Sequence, residues 1–250
     1  GWRSSGADAE ADLILPGFID LHIHGALGSD VTEASEEALE RVARYEAMSG
    51  VTSFVPTIVS CPWETAIRSA RLVVSVFGRD RRLRPLELPD PVPGCAQVVG
   101  VHFEGPYLNP EFRGAQNPEY LSTPERASFP FAELSFLEDP GIPRIVSLAP
   151  ELDGSLRLVE ALRSRGYLVA MAHTGATFEM AKRSIDRGIS HACHIFNGMG
   201  HMHHREPGAL GAALVDDRVS VQLIADGFHL HPGIVELVAR LKGPGLSILI

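Results

Sequence analysis

Apolar, β-branched runs punctuate this chain at near-regular intervals, and amphipathic stretches separate most of them. Eight runs predict strands, at residues 13–19, 52–55, 98–103, 144–148, 167–172, 189–194, 219–225 and 246–250. Five segments carry apolar residues at helical spacing and stop at a glycine: 35–49 before Gly50, 63–77 before Gly78, 155–165 before Gly166, 177–187 before Gly188, and 233–242 before Gly243. Ser155 and Thr177 stand where a hydroxyl can cap a helix start. The strand pitch from Leu15 to Leu246 averages about 33 residues, the length of one βαβ unit. Alternation at that pitch predicts an α/β fold, a (β/α)8 TIM barrel with helices outside a parallel sheet. A doubly wound open sheet is the alternative, and the absence of a GxGxxG run after the first strand counts against it. Residues 84–93 and 108–140 read as long loops, the usual carriers of function on a rigid scaffold.

Composition narrows the classes of partner. With 45% hydrophobic and 21% charged residues the chain is built to bury a core, so whole-chain disorder is excluded. Twenty-two basic against 31 acidic side chains give a net charge of −9. No basic run stands ready for phosphate backbones or anionic lipid, so neither nucleic acid nor membrane is the expected partner. An anionic ligand must then be held by a few placed cations. Cys61, Cys95 and Cys193 form neither a disulfide framework nor a CxxC knot, which makes a reducing cytoplasm the expected setting. Residues 1–12 are polar and no apolar run reaches about eighteen residues, so no leader or membrane span is expected.

In a parallel barrel, chemistry sits at the C-terminal strand ends, and here those ends are rich in histidine. Strand one closes on Asp20-Leu-His22-Ile-His24, and the period of two puts both imidazoles on one face. His102-Phe-Glu104 ends strand three, His173 ends strand five and His194 ends strand six. Imidazoles plus one carboxylate are the ligand set of zinc, iron or manganese hydrolases. A single strand-end histidine is more often structural; convergence of several on one end carries the metal reading. His191, three residues from His194, is expected to face the helices. His102 is expected to pack one layer deeper, and Asp20 to orient a ligand rather than bind the metal.

The run Pro16-Gly-Phe-Ile-Asp-Leu-His-Ile-His-Gly25 resembles the opening strand of the amidohydrolase superfamily. Three more runs are similar to the N-acetylglucosamine-6-phosphate deacetylase family, in its order and spacing. They are His102-Phe-Glu-Gly-Pro106, His194-Ile-Phe-Asn-Gly-Met199 with Arg205-Glu-Pro-Gly208, and Ala225-Asp-Gly-Phe-His229. The resemblance implies Glu104, His173 and His194 as metal ligands, with His22 and His24 serving a second ion, so one or two divalent ions, Zn first and Fe next. It implies substrate contacts at Ala115, Gln116, Asn197 and Gly198, and a 6-phosphate held by Arg205 and His229, one of them from the second subunit of a homodimer. The implied reaction is metal-assisted hydrolysis of the acetamide of an amino-sugar phosphate.

In that family the acid/base is an aspartate just beyond strand eight, and Ile250 comes before any such residue. The resemblance therefore implies a barrel truncated after strand eight (residues 13–250). Residues 1–12 would be a remnant of an N-terminal segment, the accessory β-sandwich would be largely missing, and activity would be impaired. Another amidohydrolase of dihydroorotase or D-amino-acid deacylase type stays as an alternative, although strand four has no lysine. So does a non-catalytic metal-binding barrel.

Overall fold

The protein is described here by a computed structural model covering residues 16–77, 94–138 and 141–250. Eight strands follow one another in a parallel array: β1 (Phe18–Ile23), β2 (Val51–Ile58), β3 (Val101–Glu104), β4 (Arg144–Leu148), β5 (Leu168–Met171), β6 (Ile189–Ala192), β7 (Ser220–Leu223) and β8 (Ser247–Leu249). Every neighbouring pair in this order is hydrogen-bonded, as the (β/α)8 expectation requires. Parallel neighbours need crossovers, and most are helical: α1 (Glu36–Met48), α2 (Trp63–Phe77), α3 (Ser155–Ser164), α4 (Phe178–Asp186), α5 (Gly208–Val215) and α6 (Pro232–Lys242). The link from β3 to β4 is instead a long loop with 3-10 turns at Pro110–Phe112, Pro118–Tyr120 and Ser135–Leu137.

Local chemistry accounts for most boundaries. Ser35 Oγ accepts from the Ala38 N–H at 3.1 Å, and Glu36 and Glu37 sit at the positive end of the α1 dipole. Thr177 caps α4 through the Met180 N–H, as its position predicted. Ser155 does not cap α3. Gly154, with φ +87°, is the capping residue, and the Ser155 hydroxyl donates to Ala149 O at 2.9 Å. Helix α5 was not visible in sequence because residues 208–214 of Gly-Ala-Leu-Gly-Ala-Ala-Leu-Val are all buried, so no polar face marks a helical period. Of the predicted strand 13–19, residues 13–15 lie outside the described residues, and β1 runs on to Ile23. The 1–12 segment, Gly78 and the 84–93 loop also lie outside them.

The two faces of the sheet bury different things. Outward residues such as Phe54, Phe103, Val146, Val169, Met171 and Val221 pack beneath the helices in the main core. Inward, a smaller cluster of Val55, Ile145, Ala170, Ala172 and Cys193 lines the barrel. The small inner side chains leave room above them for larger polar groups. Between β8 and β1 no backbone pairing occurs among the described residues, so the cylinder is nearly closed rather than closed. A cleft of about 670 Å³ runs along this seam, lined by Phe18, Asp20, Val51, Ile248 and Ile250 among others.

Glu46 is the odd member of α1's inner stripe of Leu39, Val42 and Ala43, only 2% exposed. Burial, with help from the Asp20 charge, pushes its carboxyl up from 4.5 to about 7. The folded protein therefore keeps a proton that the unfolded chain has released. Stability contributed at this site falls as pH rises from about 4.5 to 7 and is level above, by on the order of 2 to 3 kcal/mol. Glu46→Gln is expected to flatten that decline in urea midpoints measured from pH 4.5 to 8. An unchanged slope would show that Glu46 is not its source.

Candidate metal centre

Five side chains meet at the C-terminal end of the barrel. The Glu104 carboxylate, at the end of β3 and 2% exposed, is the hub. Its Oε1 lies 2.7 Å from His194 Nε2, 3.1 Å from His173 Nε2 and 3.4 Å from His22 Nε2, and its Oε2 lies 3.1 Å from His24 Nε2. The Nε2 atoms of His22 and His24 are themselves 3.2 Å apart. All five residues expected to hold metal are thus brought together.

Strand pleating explains only part of this. In β3, Val101 and Phe103 face outward, so His102 and Glu104 face in. In β5 and β6 the inward residues are Ala172 and Cys193, and the next residue would point away. His173 at φ +45° and His194 at φ +25° instead turn left-handed, which swings both rings back over the barrel mouth. A non-glycine residue there costs on the order of 1 to 3 kcal/mol and persists only when its surroundings hold it.

The same backbone turn corrects the expectation for His191. The i, i+3 parity does not carry through a left-handed residue. His191 pairs in register with the inward Ala170 and with Ser220, and is 1% exposed, so it faces the interior. Asp20 is likewise not the partner of the His22 ring. It accepts the His22 backbone N–H at 2.8 Å, and the ring nitrogen Nδ1 is held by Gln222 Oε1 at 3.0 Å. His102 packs one layer down as expected, its ring edge-to-face with His22 at 4.8 Å.

Each imidazole is oriented by an acceptor on its far side. His24 Nδ1 meets Thr57 O at 3.1 Å, His173 Nδ1 meets Phe112 O at 2.8 Å, and His194 Nδ1 meets Asn197 O at 3.0 Å. A carbonyl oxygen only accepts, so each Nδ1 carries the proton and each Nε2 turns a bare lone pair toward Glu104. Four lone pairs and a carboxylate facing one another repel unless a cation lies among them. That arrangement fits a divalent metal held by Glu104 with His22, His24, His173 and His194, and the carbonyls are the supports such ligands use.

The charges follow the geometry. Burial opposes ionisation of Glu104, yet the surrounding imidazoles hold its carboxyl well below the usual range. Burial works against the charged forms of His24 and His173, but the Glu104 carboxylate outweighs it and raises both. At His194 burial prevails and the shift is downward.

The residues expected at the substrate are spread over the rim. Gln116 is buried with its amide donating to Glu104 Oε2 at 2.5 Å and its oxygen accepting from the Ser60 N–H, while neighbouring Ala115 is exposed. Asn197 is half-buried, and its amide nitrogen has no partner among the described residues. A Cβ on Gly198 would stand 2.7 Å from His173 Nδ1, so the bare backbone at φ +61° makes space for that ring. Arg205 is exposed on the loop after β6. His229 is also exposed, its Nδ1 2.8 Å from Asp226 Oδ2.

A parallel barrel whose strand ends gather four imidazoles around one carboxylate is the scaffold of a metal-dependent hydrolase. Residues 13–249 match the amidohydrolase family, and the chain belongs to it. The family is metal-dependent, and His22, Glu104 and His194 lie close enough to share an ion. The chain is 35% identical over 230 residues to the N-acetylgalactosamine-6-phosphate deacetylase of Escherichia coli O157:H7, covering 92% of this chain and 57% of that protein. It is 35% identical over 243 residues to the N-acetylglucosamine-6-phosphate deacetylase of Bacillus subtilis, covering 97% and 58%. The solved Mycobacterium smegmatis N-acetyl-D-glucosamine-6-phosphate deacetylase variant in complex with N-acetyl-D-glucosamine-6-phosphate superposes with a TM-score of 0.78 at 30% identity, covering 98% of this chain and 61% of that one. The chain thus spans less than two thirds of each of these proteins.

Gln222 was not visible in sequence, since a glutamine in a short apolar strand carries no motif. Gln222→Leu is expected to weaken metal binding about 10- to 100-fold by freeing the His22 ring, read by competition with a chromophoric chelator. Unchanged affinity would show that His22 needs no such support.

Proposed function

We propose that the protein hydrolyses the acetamide of an N-acetylhexosamine 6-phosphate, N-acetyl-D-glucosamine 6-phosphate foremost, giving the free amino-sugar phosphate and acetate. The observation that carries this reading is the Glu104 cluster, with four unprotonated Nε2 atoms on one buried carboxylate. The relatives' names supply the substrate class. A bound divalent ion, zinc or iron, one or two in number, would supply Lewis acidity to the amide carbonyl and make an attacking water more acidic.

The chain's own residues have separable jobs in this scheme. Glu104, His173 and His194, with His22 and His24, hold the ion, and Gln116 steadies the Glu104 carboxylate by donating to Oε2. Asn197, whose amide N–H has no partner among the described residues, suits a sugar hydroxyl or the acyl oxygen, and Gly198 and Ala115 are proposed as further substrate contacts. Arg205 and His229 are exposed donors suited to a dianion, and a homodimer sharing them across its interface is part of the proposal. Asp226 holds the His229 ring in place. Three free thiols fit a reducing, cytoplasmic setting, with residues 13–250 as the catalytic-domain segment. No helix among the described residues is long and apolar enough to cross a membrane.

Similarity to the Escherichia coli protein favours one second reading, the galacto epimer. The two readings separate by comparing acetate release from the two epimers. Glu104→Gln is expected to lose bound metal and to lower acetate release by about two orders of magnitude or more; retained metal and turnover would sink the proposal. Arg205→Ala is expected to weaken binding of the 6-phosphate substrate about tenfold and to leave unphosphorylated N-acetylglucosamine unaffected. Equal losses for both sugars would remove Arg205 from the phosphate site.

A further inference from the structure

His173 meets the Glu104 cluster only because its backbone turns left-handed at φ +45°. Such a conformation needs support from its surroundings. Much of that support traces to Glu151, a half-buried residue on the loop after β4 with no part in the chemistry described above. Its carboxylate accepts three hydrogen bonds. Oε1 takes the Gly175 N–H at 2.7 Å and the Asn109 side-chain amide at 2.9 Å, and Oε2 takes the Thr174 hydroxyl at 2.5 Å. Thr174 Oγ1 also accepts from the Ala176 N–H at 3.0 Å, which leaves its single proton for Glu151. A carboxylate only accepts and all three partners donate, so each bond is charge-assisted.

Two routes run from these bonds to His173. One is the backbone: Thr174 and Gly175 are the next two residues, and their hold on Glu151 fixes the chain as it leaves His173. The other runs through Asn109, whose backbone N–H donates to His173 O at 3.0 Å. Asn109 Oδ1 accepts the Glu111 N–H at 2.9 Å and so caps the 3-10 turn Pro110–Phe112. That turn presents Phe112 O to His173 Nδ1 at 2.8 Å. Glu151 therefore bears on both the backbone and the ring of one ligand. The two routes also touch, since a Cβ on Gly175 would stand 2.4 Å from Phe112 Cε2. Thr174 carries the link on to the loop after β6, its N–H donating to Gly198 O at 3.0 Å and its carbonyl accepting from the Gly200 N–H at 2.9 Å.

We propose that Glu151 is a positioning residue for the metal centre: by clamping Asn109, Thr174 and Gly175 it holds His173 left-handed and aims its Nε2 at the ion. The inference rests on the reading of the Glu104 cluster as a metal centre. It goes further in making the ion's affinity and coordination geometry depend on a carboxylate that is not one of its ligands. Because Glu151 acts by accepting hydrogen bonds, a glutamine can stand in for it. The amide oxygen would serve Gly175 and Asn109, and the amide nitrogen would donate to Thr174 Oγ1.

Cobalt titration of the 250-residue chain tests this, because the visible d–d bands of bound Co²⁺ follow its coordination geometry. Glu151→Ala is expected to shift those bands and to raise the Co²⁺ dissociation constant about tenfold or more. Glu151→Gln is expected to restore the native bands and near-native affinity. Asn109→Ala cuts one route and leaves the Thr174 and Gly175 bonds in place; it is expected to shift the bands in the same sense with a smaller loss of affinity. That variant covers the case of a Glu151→Ala chain that fails to fold. Native bands and affinity in either alanine variant, with or without a lowered melting temperature, would overturn the proposal, as would a Glu151→Gln chain as impaired as Glu151→Ala. A native chain that gives no cobalt bands would overturn the metal-centre reading and this inference with it, so the two failures are distinguishable, and no readout involves turnover.

Discussion

One buried negative charge organises the upper half of this barrel. The Glu104 carboxylate is almost sealed from water, a position that costs several kcal/mol unless opposite charge and hydrogen bonds surround it. Gln116, on the loop after β3, donates to it, while the imidazoles from β1, β5 and β6 turn lone pairs toward it, so the rest of that demand falls on a cation held among them. Each imidazole can serve only if its far nitrogen is anchored, so the constraint passes outward to Thr57, Phe112, Asn197 and Gln222. The left-handed residues at the ends of β5 and β6 are the backbone's part in the same constraint. Strain at His173 and His194 would be offset by what their rings gain as ligands beside Glu104.

The barrel below is layered by side-chain size. Ala170 and Ala172 keep the interior narrow in content but open in volume, and the polar groups of β3, β4, β6 and β7 fill what remains. The outward face carries the aromatic and branched residues that the helices cover. Helix α5 is the extreme case. Being buried nearly all round, it contributes packing on every side and shows none of the polarity by which surface helices announce themselves.

Much of this was legible in sequence, for identifiable reasons. Strands buried on both faces leave apolar runs, helices ending on glycine leave stops, and HxH, HxEGP and HxFN runs carry the ligands that the fold gathers. What could not be read was whatever depends on a single dihedral or on distant pairing. The orientation of His191 hinged on the φ of His194. The role of Gln222 depended on β7 lying beside β1's imidazole, some 200 residues away in sequence. Ser155 was expected to cap α3, but its hydroxyl donates to Ala149 O and Gly154 takes the cap position instead. The substrate contacts differ in kind, since a resemblance names residues such as Arg205 and His229 without saying where exposed side chains settle.

The seam between β1 and β8 bears on how the chain behaves among its own copies. Closed barrels have no strand edge to offer; here two edges face a cleft, with Phe18 67% exposed, Ile19 57% exposed and Leu249 62% exposed beside it. Backbone groups without a strand partner among the described residues, flanked by apolar side chains, form a template on which an extended segment can add as a new strand. The net charge of −9 opposes close approach of two copies only over roughly a Debye length, about 8 Å in physiological salt. Among the described residues, this seam is therefore where the sheet can accept a further strand.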